Sequence, residues 1–280
     1  MIRLYKITDG IIIEKNEDYF LLQLDHWDTI VNAVPLYEAL EAYVARGSKL
    51  DDAIWKSYEG KILAPIQSQE VWASGVTYLR SRDARMEESE HAKSAYDLVY
   101  EADRPELFFK SLPHRVAGPG TEVYIRKDST WNVPEPELTL FINASGQIAG
   151  YTCGNDMSSR SIEGENTLYL PQAKTYERSA ALGPCLLILE KPIDESTTIG
   201  VKIYRGNSCV FEGSTQLNTM KRKLEDLKEY LLRGLKFEHG CYLMTGTGVV
   251  PPSSFTLEGG DVVKIEIEGI GVLENVVKWF

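Results

Sequence analysis

The segment Pro134-Glu135-Pro136-Glu137-Leu138-Thr139-Leu140-Phe141-Ile142 carries the densest chemistry in the chain. Alternate side chains of a strand share a face, so Glu135 and Glu137 project together while Leu138, Leu140 and Ile142 point the other way, into a core. Two carboxylates on one face repel each other unless a cation or a proton lies between them. Pro134 and Pro136 remove ladder donors, as at an edge or a strand start, so a solvated strand edge is the plain alternative. The next strand-like run, Ile148 to Cys153, returns after the Ser145-Gly146 turn and leads into Gly154-Asn155-Asp156-Met157-Ser158-Ser159-Arg160. A hairpin there brings Asp156 back toward the two glutamates. Three carboxylates form the hard-oxygen set that suits magnesium, manganese or calcium. Lys174, in Leu170-Pro171-Gln172-Ala173-Lys174, is a candidate base, because a lysine beside a metal cation gives up its proton more readily. Its plain alternative is a surface lysine.

The elements that must position these groups are legible in outline. Ile2 to Ile7 and Ile11 to Lys15 flank Asp9-Gly10, a hairpin dipeptide, and Tyr19 to Leu24 continues in strand-like residues. After Pro35, the spacing of Leu36, Leu40, Tyr43 and Val44 predicts a helix that stops at Gly47; a second short helix covers Leu50 to Tyr58 and closes at Gly60. Residues 1–65 thus form a small α+β domain, joined at Ala64-Pro65-Ile66 to a larger domain over 66–280. In the larger part Val71 to Val76 is a strand, and a polar helical stretch from Leu79 to Glu101 has the character of a cover. Short β runs follow, interrupted by an amphipathic helix from Thr219 to Arg233 with Leu224, Leu227 and Leu231 inward and Gly234 as its stop. Val263, Ile265 and Ile267 alternate with Lys264, Glu266 and Glu268 in a half-buried strand. The fold class is α+β, mainly β.

Composition narrows the chemistry. A formal charge of −11 argues against nucleic acid or an anionic membrane surface as partner. No aliphatic run approaches the roughly 18 residues of a spanning helix, and the charged N-terminal segment has no apolar signal core, which makes the cytoplasm the expected location. Cys153, Cys185, Cys209 and Cys241 form no Cys-x-x-Cys pair and read as buried small hydrophobes. His26, His91, His114 and His239 form no His-x-x-x-His pair, so zinc chemistry lacks its ligands. Phosphate-cradling, dinucleotide-binding and nucleophile-elbow motifs are absent. Carboxylates and lysines must do the work.

Glu-x-Glu at 135–137, then Gly150-Tyr151-Thr152 leading to Asn155-Asp156-x-Ser158-x-Arg160, Lys174 ahead of Leu182-Gly183-Pro184, Thr245-Gly246-Thr247-Gly248-Val249-Val250, and Gly259-Gly260-Asp261-Val262 follow one another in the chain. From Ala64 to the C-terminus this order resembles the fumarylacetoacetate hydrolase family. The resemblance implies a β-roll catalytic domain. It implies that Glu135, Glu137 and Asp156 hold a divalent metal, with magnesium first and manganese or calcium as alternatives. Lys174 matches the family's active-site lysine, Arg160 the arginine after the metal aspartate, and Thr247 the threonine that meets a substrate carboxylate. Pro105-Glu106-Leu107-Phe108-Phe109-Lys110 resembles Pro-x-x-Phe-x-Lys and places Lys110 near the site. Family members usually pair, which implies a homo-oligomer, dimer or tetramer.

Departures from the family pattern are informative. Hydrolases and decarboxylases of the family carry Gly-x-Asn-Tyr-x-x-His-x-x-Glu, whose histidine and glutamate form an acid-base pair. This chain reads Gly75-Val76-Thr77-Tyr78-Leu79-Arg80-Ser81-Arg82-Asp83-Ala84: Tyr78 is retained as a substrate-binding candidate, but Ser81 and Ala84 stand in place of the pair. His91, one turn from Glu87, is a substitute after a register change or an exposed helix histidine. Without the pair, hydrolysis, which must activate a water, is disfavoured. The pattern is most similar to members that dehydrate 2-keto-3-deoxy sugar acids, and the implied reaction is 2-keto-3-deoxy-D-arabinonate to 2,5-dioxopentanoate. In that reaction Lys174 takes the C3 proton, Glu106, just before the Phe-Phe-Lys run, protonates the C4 hydroxyl, and Arg160, Thr247 and Lys110 orient the carboxylate. The alternatives are an acylpyruvate hydrolase or oxaloacetate-type decarboxylase on the same metal site, and a catalytically silent metal-binding module.

Overall fold

Every position of the strand Pro136–Ile142 is buried, so both of its faces must be covered, and the architecture answers that demand. The computed structural model describes residues 1–23, 26–88 and 93–280, excluding the side chains of 84–88 and 93–95; His91 therefore lies outside the described residues. The strand occupies the middle of a large sheet whose order is Asp18–Leu22, Gly10–Lys15, Ile2–Ile7, Ala180–Ile188, Ile148–Asp156, Pro136–Ile142, Cys241–Met244, Glu70–Gly75 and Glu106–Ser111. Val116–Ala117 pairs off this path with Ala180–Ile188. A second sheet runs Ser208–Gln216, Thr198–Arg205, Val262–Ile267, Gly271–Trp279 and Glu122–Ile125.

Alternation then sorts the side chains. Leu138, Leu140, Cys153 and Leu187 of the large sheet meet Val201, Ile203, Ile265 and Leu273 of the second in one apolar core. Phe141, Leu182, Leu186, Tyr242 and Met244 take the other face, under Trp27, Ile30, Leu36 and Leu40 of the helices Trp27–Val31 and Leu36–Arg46. This is the mainly β roll that the sequence implied. Ile2–Ile7 pairs antiparallel with Ala180–Ile188, so residues 1–65 complete one side of the large sheet and roof one of its faces. Among the described residues no helix is long and apolar enough to cross a membrane.

Three expectations change. The helix predicted over Thr219 to Arg233 spans Leu224–Leu232; Leu217–Thr219 is a tight 3-10 turn, and Lys223 is extended with ψ 143°. Leu227 and Leu231 are buried as predicted. The polar stretch forms two helices, Leu79–Glu88 and Lys93–Glu101, that connect the paired strands Glu70–Gly75 and Glu106–Ser111. Cys153, Cys185 and Cys241 are buried, but Cys209 is exposed because it lies on the outermost strand of the second sheet.

Candidate active site

The hairpin of Pro136–Ile142 and Ile148–Asp156 does what the alternation requires. Gly154 lies opposite Glu137 in register, and the Asp156 amide donates to Glu135 O at 3.0 Å. Glu135, Glu137 and Asp156 each offer a carboxylate oxygen, and these lie within 4.8 Å of one another. Glu135 is 4% exposed, Glu137 1% and Asp156 1%, which overturns the solvated strand edge. Pro136 sits at a strand start, and the strand is central rather than at an edge. Glycine is required at 154: a Cβ there would stand 2.2 Å from Thr139 Oγ1 and 3.3 Å from Met244 Cε.

Buried cations surround the acids. The short helix Leu170–Lys174 delivers Lys174 at 1% exposure, so the surface-lysine alternative fails. Its Nζ donates to Glu135 Oε2 at 2.8 Å, Asp156 Oδ2 at 3.1 Å and Ser158 Oγ at 2.5 Å. Lys110 Nζ pairs with Asp156 Oδ1 at 2.5 Å and donates to Met157 O at 3.0 Å and to Lys174 O. Burial pushes the Lys110 ammonium down, against the charge of Asp156, which raises it. Arg160 Nη2 donates to Glu135 Oε1 at 2.5 Å; the ladder Ser158–Ser159 with Asn132–Val133, and the Arg160 amide on Trp131 O at 2.8 Å, fix its direction. Buried charges persist only when paired in this way.

The remaining predicted residues fall in different places. Tyr78 is buried, its phenol oxygen without a hydrogen-bond partner among the described residues. Burial raises that phenol first and the charge of Glu137 raises it further, which sets Tyr78 in the electrostatic field of the carboxylates. Thr247 is buried, but its hydroxyl closes its own turn with the amide and carbonyl of Val249, both at 3.1 Å. Its neighbour Gly246 contributes instead, the amide donating to Glu137 Oε2 at 2.6 Å. Glu106 opens the strand Glu106–Ser111 opposite Gly75, and its carboxylate lies over that glycine, where a Cβ would stand 1.9 Å from Oε2. Phe108, two residues on and hence on the same face, stands under Lys174 Nζ at 5.9 Å. Glu106 thus shares the site face. Ser81, in the place of the family histidine, donates to Tyr78 O at 2.7 Å and caps the turn.

Sequence reasoning missed two contributors. Ser158 was visible in Asn155-Asp156-x-Ser158-x-Arg160, but nothing in spacing says that its hydroxyl meets Lys174. The Gly246 amide is a backbone donor with no side-chain signal.

The donor set fits a hard divalent ion. Three buried carboxylates converge, and the Glu137 carboxyl is held well above the ordinary range, first by burial and then by Asp156 and Glu135. A cation among them removes that cost.

Residues 71–278 match the family model described as fumarylacetoacetate (FAA) hydrolase, C-terminal. A protein of Haloferax volcanii named probable 2-keto-3-deoxyxylonate dehydratase is 45% identical over 214 residues, 76% of this chain and 73% of the relative. The 2-dehydro-3-deoxy-D-arabinonate dehydratase of Saccharolobus solfataricus is 41% identical over 222 residues, 78% and 74% of the two chains. A solved structure described as 2-keto-3-deoxy-D-arabinonate dehydratase complexed with magnesium and 2,5-dioxopentanoate matches with TM-score 0.82 and 32% identity, covering 100% of this chain and 99% of that one. With the ordered motifs, the two-sheet roll and the family model all in agreement, the chain belongs to the fumarylacetoacetate hydrolase family.

Proposed function

We propose that the protein removes water from 2-keto-3-deoxy-D-arabinonate to give 2,5-dioxopentanoate, with a divalent ion, magnesium first, held by Glu135, Glu137 and Asp156. The observation that carries this reading is the full-length match to the dehydratase structure described with magnesium and 2,5-dioxopentanoate. When bound, the ion supplies Lewis acidity at the 2-keto group. Lys174 takes the C3 proton; it stands among the carboxylates, hydrogen-bonded to Glu135 and Asp156. Glu106, on the same sheet face as Phe108, gives its proton to the departing C4 hydroxyl, which leaves as water, while the C3 proton stays on Lys174. Tautomerisation of the resulting unsaturated acid yields the dioxo product. Arg160 and Lys110 supply the positive charge that holds the substrate carboxylate, and Thr247 and Tyr78 line its seat. With Lys174 neutral as the base, the charges of Lys110 and Arg160 offset two of the three acids, so a bound divalent ion would still leave the centre net positive and suited to an anion.

Purified protein with magnesium and a panel of 2-keto-3-deoxy sugar acids and acylpyruvates, with and without chelator, tests this. Chelator-sensitive water loss from the five-carbon sugar acid is expected. Cleavage of an acylpyruvate without turnover of any sugar acid sinks the dehydratase assignment. We also propose a homo-oligomer, dimer or tetramer, working in the cytoplasm; the family resemblance supports the first, and sedimentation equilibrium checks it.

A further inference from the structure

The excursion that carries the helices Leu79–Glu88 and Lys93–Glu101 leaves the large sheet at Gly75, runs through Tyr78, and re-enters the sheet at Glu106. Both ends are held by one short segment distant in sequence, Met220-Lys221-Arg222. At the entry, the Lys221 amide donates to Thr77 O at 2.9 Å, and Met220 forms an isolated antiparallel bridge with Tyr78. At the exit the Arg222 guanidinium reaches three carbonyls: Nη2 donates to Val99 O at 2.8 Å and Ala102 O at 2.6 Å, and Nη1 to Asp103 O at 2.9 Å. The last carbonyls of a helix lack intrahelical donors, and a cation there also opposes the negative end of the macrodipole. Lys221 adds an ion pair to Glu101 at 2.7 Å and stands 4.2 Å from the centroid of the Tyr100 ring. From Asp103 the chain passes through Arg104, whose guanidinium lies 5.5 Å from the Tyr230 ring, and buried Pro105 directly to Glu106.

The entry is tied to the carboxylates by contiguous contacts. Thr77 Oγ1 donates to Thr245 O at 2.7 Å, and the next residue, Gly246, donates its amide to Glu137 at 2.6 Å. The Tyr78 ring packs on Gly248, where a Cβ would stand 2.8 Å from Cδ1. Val76, just ahead, holds φ at 54°, a left-handed conformation that is unfavourable for a β-branched residue and persists only where its surroundings dictate it.

From these contacts we infer that Lys221 and Arg222 form a clamp on both ends of the excursion, and that Arg222 is a positioning residue for Tyr78 and Glu106. Its guanidinium contacts carbonyls of residues 99, 102 and 103 and, among the described residues, none of the three carboxylates; it acts by fixing where the two side chains enter the site. The activity arm of its test rests on the dehydratase reading, and the exchange arm does not. In the full-length protein with magnesium, Arg222→Ala and Arg222→Lys are compared with the parent by kcat and KM on the 2-keto-3-deoxy acid, by magnesium affinity, and by amide hydrogen exchange at 77–82 and 99–106. Arg222→Ala is expected to lower kcat by about ten- to a hundredfold, with magnesium affinity unchanged and faster exchange in both segments. Arg222→Lys keeps the charge but cannot span three carbonyls, so it recovers part of the loss. Full kcat in Arg222→Ala, or unchanged exchange in the two segments, overturns the clamp. If Arg222→Ala does not fold, Lys221→Ala loosens the same exit and is scored by the same measurements. A parent protein that turns over no 2-keto-3-deoxy acid counts against the dehydratase reading, and exchange alone then decides the clamp.

Discussion

At the scale of single residues, Glu137 is, of the three clustered carboxylates, the one whose burial is least compensated by the protein. Glu135 meets Lys174 and Arg160, and Asp156 meets Lys110 and Lys174, whereas Glu137 accepts from the Gly246 amide. An ion that binds the folded form at a hundred times its dissociation constant stabilises it by about 2.7 kcal/mol, so magnesium is expected to raise the parent's melting temperature. Glu137→Gln should abolish that rise, and its metal-free form should be at least as stable as the parent, because a buried amide carries no charge. Calorimetry showing unchanged ion affinity in Glu137→Gln would remove Glu137 from the metal set. Lys174→Met should keep the ion and slow C3 proton exchange in deuterated water by about a hundredfold or more; exchange at the parent rate would assign the base elsewhere. Glu135 and Glu137 were legible from their period-two spacing, Asp156 from the expected hairpin, and Lys174 from its place ahead of Leu182-Gly183-Pro184 in the family pattern. Ser158 and the Gly246 amide were not, because each becomes a donor or acceptor only through a partner far along the chain.

At the scale of elements, glycines mark where side chains crowd a neighbouring strand. Gly75→Ala drives a methyl into the Glu106 carboxylate, the flexible end of a side chain, so the backbone survives and Glu106 moves. The expected result is a fall in kcat of about tenfold or more with magnesium affinity retained, since a small misplacement of a catalytic group is costly. Unchanged kcat would free Glu106 from the proton-donor role. The shortened helix Leu224–Leu232 teaches the same lesson in reverse. Leucine spacing predicted an earlier start, but Met220 is drawn into a bridge with Tyr78 and Arg222 into the carbonyls of another helix. Those tertiary contacts outweigh helix propensity, which contributes at most a few tenths of a kcal/mol per ordinary residue (~0.7).

At the scale of the whole molecule, the division into residues 1–65 and 66–280 stands as a proposal about sequence units, and its thermodynamic meaning is testable. Ile2–Ile7 is hydrogen-bonded to Ala180–Ile188, and Trp27, Ile30, Leu36 and Leu40 cover Leu182 and Leu186. Each buried aliphatic or aromatic side chain of this kind is worth about 1.5–3 kcal/mol, against a typical domain stability of about 5–15 kcal/mol. Deleting 1–65 should therefore leave 66–280 insoluble or without a cooperative thermal transition; a soluble remnant with a sharp transition would establish the larger unit as independently stable.

By itself the sequence determined which residues can do chemistry and on which strand face they stand, because side-chain direction in a strand has a period of two and needs no tertiary information. It also determined the family, through motifs kept in order. Tertiary structure alone decided that the carboxylates are buried in a central strand, that Lys174 and Lys110 reach them, and that residues 220–222 hold both ends of the excursion at the site. Those facts depend on pairings between segments tens to hundreds of residues apart, whose net free energy belongs to the packed sheets and to no local run of the chain.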